Sequence, residues 1–397
     1  MAEAQDYRDR PKLNARQQVE FLRDKGVAFS LCHEEEAERF LRDGNYFFKL
    51  KAFEKAFDKY ENPSHPRFGQ YVDLDFAYLV ELSRLDKALR FCIMETALDI
   101  EHFMKVRMNR AMMDDESCDA YGVIEEYFAH DAQSKLSRLA GNKKNKELHE
   151  LLVELCTSLH GSACRLAQEA SAADDSLVAT LDAVADLDAA RDAIESELDG
   201  IDLHHIEKSI SRLYASQYSG RLARKYGRPG KMAYWHFFEL ATFGDVIGLY
   251  KYYFIERCGA KDAVTKGAKP LLFPTRTLRN AAAHNSCLLN TSRDKLRKPV
   301  GAIAKALTTE YGMDQELVSL TKRVPLVHDF SALLLCYDLM VSSPHSRDVC
   351  SRRLRTLAVR IRRHSAYFSK QSEVMHCLGM LVRLCERFAD RFSGSLL

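Results

Sequence analysis

Between residues 75 and 113, apolar side chains return at every third or fourth position: Leu82, Leu85, Leu89, Ile93, Ala97, Ile100 and Met104. The stretch contains no glycine or proline, and this period specifies a long amphipathic helix. The rest of the chain has the same character. Only 18 Gly and 9 Pro are spread over 397 residues, while Leu, Ala, Arg, Glu and Asp are common. That composition favours helices over a sheet protein rich in turns.

Helical patterning over 14–60 breaks at Asp43-Gly44-Asn45, and Asn62-Pro63-Ser64-His65-Pro66 reads as a loop. A further helix is expected over 142–170. Residues 171–200, with nine acids and one Arg, read as an acidic helical insertion or connector. Helical patterning resumes at Asp202, breaks at 227–230 and continues through Tyr234 to Phe254. Pro274 suits the first turn of a helix. Three more helices are expected over 301–397, the last ending near Phe392. The expected fold is all-α, divided into an N-terminal helical part (1–170), the acidic segment (171–200), a core (201–300) and a basic C-terminal extension (301–397).

Residues 330–337, the longest nearly uncharged apolar stretch, are too few to span a bilayer. The N-terminus lacks the basic start and apolar core of a signal peptide. A soluble, cytoplasmic protein is expected, whose eleven cysteines, with no CxxC pair, are reduced and buried. No GxGxxG or P-loop occurs. His33-Glu34-Glu35-Glu36 is followed by Ala37 where a zinc protease needs a second His, and Lys208 breaks the inverted pattern at His204-His205-Ile206-Glu207. No metal or cofactor is expected.

The net charge of +2 hides an asymmetry. Residues 1–200 hold 26 Lys/Arg against 40 Asp/Glu, or −14, and residues 201–397 hold 32 against 16, or +16. The positive charge is clustered at Arg221, Arg224, Lys225, Arg228 and Lys231, at Arg293, Lys295, Arg297 and Lys298, and at Arg352, Arg353, Arg355, Arg360, Arg362 and Arg363. Such clusters suit a polyanion. Alternatively, the two halves simply attract each other.

Residues 274–290 concentrate the chemistry. On one continuous helix, Leu278, Ala281, Ala282, Asn285 and Leu289 would form a mainly apolar stripe, with Arg276, Arg279, Asn280 and His284 on the opposite side. Arg279 and His284 are five apart, so one helix does not close both on one atom. Two such helices facing across a two-fold axis would build a compact site.

Arg279-Asn280-Ala281-Ala282-Ala283-His284 resembles the R-x4-6-H signature of HEPN ribonucleases. The run from Tyr234 through Trp235, Glu239, Phe243 and Gly244 to Leu249-Tyr250 resembles the W-x3-E-x3-FG-x4-LY pattern of the Abi-like abortive-infection proteins of AbiD/AbiF type. Asn290 matches their terminal Asn. Asn45-Tyr46-Phe47-Phe48-Lys49-Leu50, Leu85-Asp86-Lys87-Ala88-Leu89-Arg90, Glu101 and Arg107 are similar to their N-terminal signatures. At position 285, Asn stands where family members often carry a second His. The resemblance implies a HEPN-type helical bundle with additional N- and C-terminal helices, usually a homodimer, that cleaves RNA without a metal as a toxin or anti-phage effector. In some relatives a small non-coding RNA acts as antitoxin or guide.

RNA carries its own nucleophile, the 2′-OH. On this reading His284 moves the proton, Arg279 stabilises charge on phosphorus, Asn280 positions the phosphate, and Arg276 with the basic clusters holds the backbone. A non-catalytic RNA-binding protein and a helical interaction protein remain the alternatives.

Overall fold

The computed structural model describes residues 12–140, 205–228 and 230–394; the helix expected over 142–170 and the acidic segment 171–200 lie outside them. The main helices are α1 (Ala15–Asp24), α2 (Phe47–Lys51), α3 (Phe76–Asp114), α4 (Gly122–Ala140), α5 (Tyr234–Leu240), α6 (Phe243–Lys251), α7 (Leu272–Ala283), α8 (Pro325–Met340), α9 (Pro344–Arg362) and α10 (Ser372–Ser393). Among the described residues β structure is limited to two isolated bridges, Ala28 with Asp75 and Lys59 with Tyr71. The protein is all-α. α3 follows its periodicity, and Leu82, Leu85, Leu89, Ile93, Ala97, Ile100 and Met104 are all buried.

The chain forms two compact units, Met1–Val106 with Ala260–Leu397, and Arg107–Gly259. The core of the first is α8, in which Phe330, Leu333, Leu334 and Tyr337 are fully buried. A helix apolar on all sides has to be covered on all sides. α7, α10 and the short helices Ala263–Ala268 and Gly301–Thr309 pack on it. The apolar stretch 330–337 is therefore core, and among the described residues no helix is long and apolar enough to cross a membrane. Pro325 and Pro344 stand at the starts of α8 and α9, where a missing N–H costs nothing. α9 packs along α10, with Ser351 Oγ donating to the Ala389 carbonyl at 2.8 Å. Residues 301–394 thus contain the three long helices expected, plus the short Gly301–Thr309 and Gln315–Ser319.

In the second unit, the patterning read as continuous from Tyr234 to Phe254 is interrupted at Ala241 and Thr242. Thr242 caps α6: its Oγ1 accepts from the Asp245 N–H, and Asp245 Oδ2 accepts from the Thr242 N–H at 3.2 Å. This reciprocal box makes a new helix start inside an apolar run. Gly248 on α6 lets α4 approach, since a Cβ there would lie 2.1 Å from Tyr127 Oη. Nine cysteines among the described residues are free. Cys92, Cys336, Cys350, Cys377 and Cys385 are buried, and the other four are partly exposed.

Candidate active site

α7 buries Leu272, Pro274, Thr275, Leu278 and Ala282, and it packs against α8. Pro274 lies in its first turn, as its fixed φ favours. The other side carries Arg276, Arg279 and Asn280, all half-buried. Arg279 Nη1 donates to Asn280 Oδ1 at 3.2 Å, and Nη2 lies 4.0 Å from Glu101 Oε2 on α3. The other Glu101 oxygen holds Lys105 Nζ at 2.9 Å. The Arg276 guanidinium sits 5.4 Å from the centre of the exposed Phe273 ring.

The single helix expected over 274–290 does not form: α7 ends at Ala283. His284 is the C-cap, and Asn285 adopts the left-handed region at φ +59°. The Asn285 N–H donates to the Ala282 carbonyl at 3.1 Å, and the Ser286 N–H to that of Ala281 at 2.9 Å. This is the Schellman pattern, and after glycine Asn is the residue that best tolerates its left-handed position. The termination removes Asn285 and Leu289 from the expected stripe. Asn285 is exposed, and Leu289 is buried through the 3₁₀ turn Leu289–Thr291. It also leaves His284 exposed at the C-terminal end of α7.

Two buried charges tie down the chain beyond His284. Lys49 of α2, only 5% exposed, donates from Nζ to the Asn285 carbonyl at 2.9 Å and to Asn285 Oδ1. Burial, and then the neighbouring Arg90 charge, pull the Lys49 ammonium below its ordinary value. Asp86 of α3 is fully buried; its Oδ1 accepts from the N–H groups of Leu288 and Leu289 at 2.7 and 2.9 Å, and its Oδ2 from Arg90 Nε at 2.9 Å. Burial pushes the Asp86 carboxyl up, against the pull of the Leu289 N–H, the Arg90 charge and the Leu288 N–H. Three segments singled out by the resemblance thus meet: 45–50 through Lys49, 85–90 through Asp86 and Arg90, and 279–284 with its following turn. Neither Lys49 nor Asp86 stands out in the sequence as a site residue. The signal for Asp86 was its place between Leu82, Leu85 and Leu89 on the buried stripe of α3, where a carboxylate requires partners.

The basic clusters fare differently. On α9, Arg352 pairs with Asp348 at 2.6 Å, Arg355 with Asp390 at 2.7 Å and Arg362 with Glu386. Arg353 pairs with Glu95 and Arg360 with Glu81, both on α3, so part of the charge asymmetry is satisfied within the chain. Arg363 is exposed. Arg293 is held by Asp58 at 2.7 Å, while Lys295, Arg297 and Lys298 are exposed. Arg221, Arg224, Lys225, Arg228 and Lys231 are exposed in the other unit, and Arg224 donates to the Tyr214 carbonyl. In that unit Trp235 and Glu239 are exposed and Phe243 is buried. Among the described residues no three His, Cys, Asp or Glu side chains converge as metal ligands.

No curated protein and no solved structure matches the chain. The family model described as "Abi-like protein" matches residues 39–290, a span that takes in Lys49, Asp86, Arg279 and His284. The match covers well over half of the sequence, and the chain belongs to the Abi-like protein family.

Proposed function

We propose that this protein is a metal-independent endoribonuclease of the HEPN type, within the AbiD/AbiF branch, acting in the cytoplasm as a toxin or anti-phage effector. The observation that carries the reading is the end of α7. Arg279 is steadied there by Glu101 and Asn280, and His284 is presented to solvent by a turn that Lys49 and Asp86 hold in place. Transesterification at phosphorus needs a preorganised guanidinium and an accessible imidazole, which two such helix ends facing each other would bring to one phosphate.

In this mechanism the 2′-OH attacks the adjacent phosphorus and the 5′-oxygen leaves. His284 takes up or returns the proton, Arg279 stabilises the developing negative charge, and Asn280 positions the phosphate. The products are a 2′,3′-cyclic phosphate and a 5′-OH. Two protomers bring their α7 ends together, each supplying an Arg279 and a His284 to one composite centre. The exposed cations contribute sequence-independent, salt-sensitive affinity for the RNA backbone, and a small non-coding RNA restrains the enzyme through the same kind of contact.

The test is cleavage of end-labelled RNA in EDTA by nucleic-acid-free protein, compared with His284→Ala and Arg279→Ala. Cleavage to a cyclic phosphate by the wild type alone is expected. Equal cleavage by all three would place the activity elsewhere. RNA binding without cleavage by the wild type would favour the non-catalytic RNA-binding reading. Light scattering of the wild type tests the dimer.

A further inference from the structure

None of the basic residues expected to contact RNA lines the opening that abuts the motif. A cleft of about 710 Å³ is bounded by residues of α2, α3 and the end of α7, where Ala283 and Asn285, the neighbours of His284, form part of its wall. Among the described residues four cations line it, Lys49, Arg84, Lys87 and Arg90, and no carboxylate does. Lys49 and Arg90 are committed to Asn285 and Asp86. Arg84 and Lys87, three apart on α3 and so on one side of the helix, are exposed. The same cleft is lined by Tyr46 and Phe91, which are 58% and 60% exposed. Lys87 Nζ stands 5.9 Å from the Phe91 ring centre. A neighbouring opening that shares Arg84 is lined also by Glu36, Asp43 and Glu81, and so lacks this single-sign character.

Cations beside open aromatic faces suit a ligand that offers phosphates and unstacked bases together. Single-stranded RNA offers both, whereas a duplex hides its base faces. We propose that this cleft seats the single-stranded RNA segment flanking the scissile bond, with Arg84 and Lys87 on backbone phosphates and Phe91 and Tyr46 stacked on bases. The proposal rests on the nuclease reading for the place of the scissile bond, but binding in the cleft does not depend on cleavage.

The experiment measures affinity for a labelled short oligouridylate by fluorescence anisotropy over a range of salt, in the His284→Ala background. Arg84→Gln with Lys87→Gln is expected to weaken binding about tenfold or more and to lower the salt slope by about 1.4, or 0.7 for each phosphate contact on a single strand. Phe91→Ala is expected to weaken single-strand binding at least about fivefold and to leave duplex RNA unaffected. A control removing two exposed charges elsewhere, Lys266→Gln with Lys305→Gln, is expected to bind as the parent does. Unchanged affinity in the Arg84/Lys87 variant, an equal loss in the control, or no RNA affinity in the parent would overturn the proposal. Cleft-dependent binding by a wild type that cuts nothing would sink the nuclease reading and leave the cleft standing. A wild type that cuts while the Arg84/Lys87 variant binds and cuts equally would do the reverse.

Discussion

Asp86→Ala is the most telling perturbation of the site. The carboxylate is fully buried and satisfies the N–H groups of Leu288 and Leu289, residues only 6% and 4% exposed, together with Arg90 Nε. Alanine leaves two buried N–H groups without an acceptor, at about 1–3 kcal/mol each, and a half-buried guanidinium without its counter-charge. Water entering from the adjoining cleft offsets part of this. The expected loss is about 3–4 kcal/mol, within the range for breaking a buried pair and a large share of typical domain stability. Asp86→Asn keeps an oxygen for both N–H groups but turns an amide N–H₂ toward Arg90, so a loss of about 2 kcal/mol is expected. Trp235, the sole tryptophan, belongs to the other unit, so its fluorescence does not report on this site. Native-state hydrogen exchange at the Leu288 and Leu289 amides does. Protection is expected to fall in the order wild type, Asn, Ala. An alanine variant within about 1 kcal/mol of wild type, or an asparagine variant as damaged as the alanine one, would refute the account of Asp86 as acceptor for the turn.

Three further outcomes follow from the same structure. Asn285→Gly keeps the left-handed turn and the carbonyl acceptor but removes one acceptor of the buried Lys49 ammonium, and is expected to cost about 1 kcal/mol, whereas Asn285→Val also forces a β-branched residue to positive φ and is expected to cost about 3 kcal/mol or more in urea unfolding. Burial alone would raise the Asp338 carboxyl, but bonds from Tyr311, Arg347 and Arg391 outweigh it and hold it below the ordinary carboxylate range. Its contribution is therefore complete above about pH 4, the unfolded value, and is lost as pH falls through the lower native one; Asp338→Asn is expected to lower stability at neutral pH and flatten the acid limb of the Tm profile. Phe330→Ala empties a fully buried site at the centre of α8 and is expected to cost about 3–5 kcal/mol in urea unfolding.

The helical class and the course of individual helices are legible in the amino-acid order, because those depend on neighbours three or four residues away. The apolar period of α3 and Pro274 in the first turn of α7 are readable on that scale. The Thr242 cap was equally local, though it was hidden by the apolar residues around it. The residue types of the motif are legible too, as Arg279, Asn280 and His284, while segments 45–50 and 85–90 stand out only through the family resemblance.

What those segments do emerges only when distant parts of the chain pack together. Lys49 and Asn285 are 236 residues apart in the chain, and Asp86 and Leu288 are 202 apart. No local period encodes such pairings. The end of α7 depends partly on them: Asn285 permits the left-handed turn, and the buried ammonium on its carbonyl and side chain holds it. The α9 arginines make the same point about charge. In sequence they form a basic run, yet in the fold Arg353 and Arg360 neutralise carboxylates of α3, while Arg84 and Lys87, from the acidic half, line a cleft with no carboxylate among its described residues. Composition counts charges, but only packing determines which of them still face solvent.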